Sequence, residues 1–350
     1  MGTLHDIVIK KNHELLGITT NPTLEVFDLD LCDQLDNLAQ TDGFVKDRVE
    51  KAVNELKLAG GVDYNDHYRM AYDNYNEAVV YHLLKQKGFK IKNIPETRTS
   101  TPDFEVEYSF KDYEQKVITQ KAYVEVKSLA FAEGNLQYRK VQNDAFENNI
   151  KTEEQRKRGK QICSSILCVS PLGDKDKGLS DEIEILIKKI DQNIKEDQYK
   201  YGSGDDTLLL VDLGQYVFPF NEAECLPVYP DLHRKAVTSG QLWMIAFGRM
   251  GDRIYTFGEF EGKGNFDHDL QQIGILNKYP FIKGIVFMSG TKADNKRLYG
   301  LYRYDEQELN VIVLLYSMCN FVNDDKNTMG FKYFEKLSNS HKSQVRIITN

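Results

Sequence analysis

Two segments with alternating side chains, followed later in the chain by a mostly apolar one, limit the folds open to this chain more than any other feature. Residues 103–110 and 122–129 alternate apolar and polar side chains, which is typical of strands with one polar face. Residues 207–213 (TLLLVDL) are apolar almost throughout, which indicates a strand buried on both faces. Helical spacing precedes the first segment and also lies between the last two. This order is typical of an α/β fold with a mixed central sheet flanked by helices.

The other patterns divide the chain into three parts. Residues 1–66 are expected to form an N-terminal helical segment, with one helix from Phe44 to Leu58 that ends before two glycines. Residues 67–215 are expected to form the core, and residues 216–350 a β-rich C-terminal α+β region that serves recognition or oligomerisation.

Within these parts, further elements follow from periodicity and from turn residues. In the core we expect helices over 68–87, 141–169 and 180–195, a strand over 89–94, and a hairpin connection over 111–120. In the C-terminal region we expect strands over 242–247, 253–260, 285–288 and 298–304, and a helix or a strand over 311–321.

Charge, cysteine usage and hydropathy exclude several classes of protein. The net charge of −8 argues against a protein that coats nucleic acid through bulk charge, although not against a local basic cleft. The five cysteines are widely spaced and form no CxxC pair, which favours a reducing, cytoplasmic compartment. The N-terminus lacks a secretory h-region, and the longest apolar run is far shorter than the ~20 residues that cross a bilayer. We therefore expect a cytoplasmic protein without membrane contact.

The charged residues at the start and end of the alternating segments form a candidate metal site. Glu125 and Lys127 share one face of their strand, so that the valines beside them point into the core. Pairing of the two strands brings Asp103 beside Glu125. Two neighbouring carboxylates repel each other unless a cation neutralises them, and Mg²⁺ prefers one or two carboxylates together with water and phosphate oxygens.

Pro102-Asp103 and Glu125-Val126-Lys127 resemble the two half-motifs of the PD-(D/E)xK superfamily, the restriction-endonuclease-like fold. The resemblance covers roughly residues 68–215 and includes the upstream helix and the buried strand. It implies that Asp103, Glu125 and the Val126 carbonyl hold Mg²⁺, with Mn²⁺ as a substitute, and that Lys127 orients the attacking water. It further implies an acidic metal ligand on the upstream helix, which Glu77 matches best.

The resemblance implies a metal-dependent deoxyribonuclease of the restriction, defence or DNA-repair type. DNA is the expected partner, RNA is a further candidate substrate, and the C-terminal region is a candidate dimerisation surface. The alternative is a non-catalytic module on the same fold that binds nucleic acid or protein. Intact acids and an intact lysine in the motif count against this alternative.

Each candidate residue also has a structural interpretation. Asp103, Glu125 and Lys127 would also suit the solvated face of an amphipathic hairpin, although the order of the surrounding elements favours the catalytic interpretation, and Glu77 would suit a helix surface. A basic cluster follows the second half-motif and suits either phosphate contact or a solvated helix face: Lys151, Arg156, Lys157, Arg158 and Lys160. A second match, Pro230-Asp231 with Glu261-Gly262-Lys263, lacks an alternating strand and is set aside.

Overall fold

The structure is a computed structural model that describes most of the chain. The described residues are 3–13, 26–59, 64–95, 100–111, 115–129, 150–159, 179–199, 201, 206–215, 220–231, 236–256, 265–304 and 309–326.

Helices surround a central sheet. The α-helices are α1 Leu4–His13, α2 Leu29–Leu38, α3 Gly43–Leu58, α4 Tyr64–Gln86, α5 150–157, α6 Leu179–Gln192, α7 Glu196–Tyr199, α8 Gln241–Phe247, α9 Ile275–Lys278 and α10 Leu309–Met318, with a 3₁₀ helix at Glu222–Cys225. The strands are β1 Lys90–Asn93, β2 Phe104–Lys111, β3 Val117–Ser128, β4 Asp206–Asp212, β5 Val228–Asp231, β6 Ala236–Ser239, β7 Arg253–Thr256, β8 Asn265–Asp269, β9 Gly284–Ser289, β10 Arg297–Tyr302 and β11 Phe321–Asp324.

Seven strands form one mixed sheet in the order β1-β2-β3-β4-β9-β10-β11. Strand β2 is antiparallel to both β1 and β3, whereas β3, β4 and β9 run parallel to one another. Strand β10 is antiparallel to β9 and parallel to β11. The α/β class with a mixed sheet flanked by helices is therefore confirmed.

The two faces of the sheet bury different helices. One face, which includes Val124 and Val126, packs against apolar side chains of α1–α4 and α10. The other face, which includes Leu209 and Val211, packs against α6, α8 and α9. Because side chains alternate along β3, Glu125 and Lys127 lie on the second face, at the edge of that apolar packing.

Local signals explain where the helices of the first face begin and end. Asp42 caps α3 by accepting hydrogen bonds from the amides of Phe44 and Val45, and Asp28 caps α2 in the same way through Leu31. Gly88 follows α4 with a φ of +86°, a conformation that favours glycine and stops the helix. The predicted helices of this region are confirmed, although α4 begins four residues earlier than expected.

Two predictions need correction. The segment expected to be a strand over 242–247 is the helix α8, because a short and mostly buried apolar run suits either structure and packing decides between them. The predicted connection over 111–120 is shorter, since β2 extends to Lys111 and β3 begins at Val117. Of the two structures expected for 311–321, the helix is confirmed: α10 covers most of the segment, and β11 begins at its last residue.

The predicted boundary at residues 215/216 lies within the connected sheet. Strand β4 pairs with β3 on one side and with β9, from the C-terminal region, on the other. Its residues Leu208 to Val211 are at most 1% exposed, so both neighbours and both helical layers are needed to cover them.

Of the predicted helix over 141–169, only residues 150–159 lie in the described part of the chain. None of the helices in the described part combines the length and apolar character needed to cross a membrane.

Candidate functional site

The motif residues meet at the junction of β2 and β3. The pairing of Phe104 with Val124 places the preceding residue, Asp103, opposite Glu125. The main-chain N–H of Asp103 donates to Val124 O at 3.1 Å, and the N–H of Val126 donates to Asp103 Oδ2 at 2.7 Å. These bonds hold the Asp103 carboxylate beside β3, so the structure brings together residues that the sequence separates by a hairpin.

Glu125 is the buried member of the group. It is only 1% exposed, and its Oε1 atom accepts from Lys127 Nζ at 2.5 Å and from Gln198 Nε2 at 2.7 Å. Its Oε2 atom is buried and accepts no hydrogen bond from the described residues. A solvated hairpin face is therefore wrong for this position, although Glu105 and Glu107 on β2 do pair with Lys121 near the surface.

Burial is costly for the Glu125 carboxylate. Loss of solvent raises the pKa of Glu125 to about 7, and the neighbouring Asp103 carboxylate acts in the same direction. Lys127 and Gln198 oppose this shift through charge and hydrogen bonding, but they do not cancel it. A carboxylate that lies buried at the wall of a cavity, although burial disfavours its ionised form, is typical of a functional site.

The site opens into a polar cavity of about 440 Å³. Asp103, Glu125 and Lys127 line it, together with Arg48 of α3, Asp73 and Glu77 of α4, and Gln198 of α7. Lys195 also lines it, as do the amide and hydroxyl side chains of Asn93, Ser100, Thr101, Ser128 and Asn193. The cavity therefore offers acids, cations and neutral hydrogen-bonding groups to a polar ligand.

Glu77 lies at the same cavity, but its carboxylate is held by an arginine. Arg48 Nε lies 2.9 Å from Glu77 Oε2, and Arg48 Nη1 donates to Asn74 Oδ1 at 3.2 Å. The Arg48 guanidinium also lies over the ring of Phe44, 5.4 Å from its centroid. Glu77 is thus fixed at the cavity wall by an ion pair with the N-terminal helical segment.

Asp73 lines the cavity one helical turn before Glu77. Burial raises the pKa of Asp73 to about 6, although the charges of Arg69 and Lys127 and a hydrogen bond with Ser128 favour the ionised form. The sequence carried a signal for this residue, because positions 73 and 77 share one face of a helix. No comparable signal marked Arg48 or Gln198, since each reaches the cavity from an element far away in sequence.

The described residues of the predicted basic cluster lie on the exposed helix α5 and on the turn that follows it. Arg156 and Arg158 pair with glutamates of α5, Arg156 Nη1 with Glu153 Oε1 at 3.6 Å and Arg158 Nη2 with Glu154 Oε2 at 3.8 Å. Arg156, Lys157 and Arg158 are not among the described residues that line the cavity. Lys160 lies outside the described residues, as do Glu261, Gly262 and Lys263 of the second motif match.

The residues at the junction suit a cation whose remaining coordination positions are filled by substrate and water. Within the described ranges no three His, Cys, Asp or Glu side chains come close enough together to hold a metal ion by themselves. Mg²⁺ commonly takes only one or two protein carboxylates and fills its other positions with water and phosphate oxygens. Asp103 and Glu125 supply that number, and Glu125 Oε2 is a buried acceptor without a donor among the described residues. The donor set therefore fits Mg²⁺.

The chain was also compared with known proteins. No protein-family model, no curated protein and no solved structure matches it.

Proposed function

We propose that this chain is a Mg²⁺-dependent phosphodiesterase that hydrolyses DNA on a restriction-endonuclease-like core. The observation that carries the proposal is the junction of β2 and β3, where Asp103 and Glu125 occupy opposed positions and Lys127 contacts Glu125. The order of α4, β1, the β2–β3 hairpin, α6 and β4 also agrees with the order that the PD-(D/E)xK resemblance implies.

Asp103 and Glu125 would hold the ion, and the main-chain carbonyl of Val126, which the resemblance implies as a ligand, is a further candidate. A divalent cation in this position lowers the pKa of a bound water and stabilises negative charge on phosphorus. Lys127 Nζ is a preorganised donor, because its contact with Glu125 Oε1 fixes it at the cavity wall. It would orient the attacking water and balance the negative charge of the transition state.

The lining of the cavity supports a polar, anionic substrate. Arg48, Lys127 and Lys195 supply positive charge, and the amides of Asn93 and Asn193 supply neutral donors and acceptors. The polarity matches a phosphodiester, whose hydrolysis by in-line attack would leave a 5′-phosphate by resemblance. DNA is the proposed substrate, and the assay below also includes RNA.

The proposal is tested by cleavage of plasmid DNA, single-stranded DNA and RNA with Mg²⁺, Mn²⁺ or EDTA. We expect metal-dependent cleavage of DNA that falls about 100-fold or more in each of two variants, because Asp103→Ala loses a ligand of the ion and Lys127→Ala loses the donor that orients the attacking water. Lys121→Ala is the matched control. Lys121 lies on the same face of the same strand, but its Nζ reaches Glu105 near the surface, 3.6 Å from Oε1.

The outcomes separate the classes of function. Cleavage that persists in EDTA, or that Lys121→Ala reduces as much as Lys127→Ala, contradicts the proposal. If the wild type and all variants are equally inert but retain DNA in a gel-shift assay, the chain is a binding module. Cleavage of RNA alone would replace the proposed substrate.

A further inference from the structure

Gln198 contacts both segments that carry the candidate metal ligands, although it belongs to neither half-motif. It lies on the short helix α7 just before β4 and is 8% exposed. Its Nε2 atom donates to Glu125 Oε1 at 2.7 Å and approaches Thr101 O at 3.5 Å. Thr101 is two residues before Asp103, so one amide group contacts the strand that carries Glu125 and the segment that leads to Asp103.

The orientation of the Gln198 amide follows from its partners. Glu125 Oε1 and Thr101 O are both acceptors, so the amide nitrogen must face them and the amide oxygen must point elsewhere. That oxygen, Gln198 Oε1, is buried and accepts no hydrogen bond from the described residues.

Two buried acceptors are therefore left together. Glu125 Oε1 and Gln198 Nε2 form the 2.7 Å contact. Glu125 Oε2 shares a carbon with the first of these atoms and Gln198 Oε1 shares a carbon with the second, so the two buried acceptors belong to one small cluster. Both residues line the cavity. Buried acceptors without donors are unfavourable, and a single hydrated cation can satisfy both, directly at the carboxylate and through a bound water at the amide.

We propose that Gln198 is a positioning residue of the cation site, which fixes Glu125 through Nε2 and accepts from a cation-bound water through Oε1. This inference rests on the proposed function. Gln198 and Lys127 both donate to Glu125 Oε1, which leaves Oε2 as the oxygen that faces the ion. Outer ligands of this kind commonly change metal affinity by about 10- to 100-fold when they are removed.

The test measures Mn²⁺ binding without DNA, with free Mn²⁺ followed by electron paramagnetic resonance at pH 8. Gln198→Met keeps the length of the side chain but removes both hydrogen-bonding groups, and we expect it to raise the Kd for Mn²⁺ about 10-fold. Gln198→Glu keeps an oxygen toward the ion but loses the Nε2 donor to Glu125 Oε1, so we expect it to raise the Kd by a smaller factor, about threefold. Gln192→Met, on the exposed end of α6, is the matched control and leaves the Kd unchanged.

Thermal unfolding in EDTA shows whether each variant is folded. An unchanged Kd in Gln198→Met overturns the inference, because packing alone would then account for Gln198. Equal weakening in both Gln198 variants also overturns it, because Gln198→Glu keeps the acceptor toward the ion. If Gln198→Met does not fold, Gln198→Glu decides: an unchanged Kd there contradicts the role of Nε2, and a loss of about 10-fold contradicts the role of Oε1. Failure of the proposed function looks different: the wild type binds no Mn²⁺, or Glu125→Gln leaves Mn²⁺ binding unchanged, and the role of Gln198 then fails with it.

Discussion

Replacing Asp73 with asparagine is expected to stabilise the protein at alkaline pH, even though Asp73 lines the candidate site. Burial raises the pKa of Asp73 from 3.8 to about 6. At pH 8 the folded protein therefore contains an ionised carboxylate that the unfolded chain would solvate better. A shift of about two pKa units corresponds to about 3 kcal/mol of unfolding free energy. Asparagine can still accept a hydrogen bond from Ser128 but carries no charge.

The sign of the pH dependence follows from the raised pKa. Below about pH 4 both states are protonated and Asp73 imposes no cost. Between about pH 4 and pH 6 the unfolded chain ionises first, so stability is lost as the pH rises, and above pH 6 the loss is complete. We therefore expect Asp73→Asn to add about 3 kcal/mol at pH 8 but only about 1 kcal/mol at pH 4.5.

Urea unfolding in EDTA at these two pH values measures the difference, because EDTA removes any cation that would change the charge of the site. Asp47→Asn is the control. Asp47 lies on α3 with its side chain 54% exposed and pairs with Lys51 at 2.9 Å, a contact whose loss costs about 0–1 kcal/mol. An Asp73→Asn variant that is no more stable than the wild type at pH 8, or whose gain does not depend on pH, would refute the reasoning.

Two further predictions concern the fold. Gly240→Ala is expected to lower the free energy of unfolding by several kcal/mol, because its Cβ would lie 2.0 Å from the main-chain oxygen of Leu226. Gly43→Ala is the control, because a Cβ at Gly43 meets nothing within 4 Å. Thermal unfolding compares the two variants, and equal melting temperatures would contradict this packing. A fragment of residues 67–215 is expected to aggregate or remain unfolded, because it lacks β9 and leaves β4 uncovered on one edge. Circular dichroism and size-exclusion chromatography check the fragment, and a monomer with a cooperative melt would show instead that these residues form an independent domain.

The sequence was sufficient for the elements that have strong local patterns. Helix α3 and the strands of the motif hairpin follow from periodicity, since a strand with one polar face must alternate and an amphipathic helix must repeat near 3.6 residues. The proximity of Asp103 and Glu125 also followed, because pairing of two adjacent strands fixes which residues face each other. The apolar run at 207–213 correctly predicted a strand buried on both faces.

Local patterns failed where long-range packing decides the structure. The run at 242–247 has no period that distinguishes a buried strand from a buried helix, and its surroundings make it α8. The addition of β9–β11 to the same sheet was also invisible, because nothing within the sequence of β4 specifies which strand pairs with its second edge.

The same division applies to the candidate site. The sequence by itself determined the acids and the lysine of the two half-motifs, since residue identity and strand alternation place them on one face. Only the tertiary structure decided that Glu125 is buried, that Arg48 pairs with Glu77, and that Gln198 donates a hydrogen bond to Glu125. Burial and charge compensation depend on which distant elements pack around a residue, and a pattern along one segment contains no information about them.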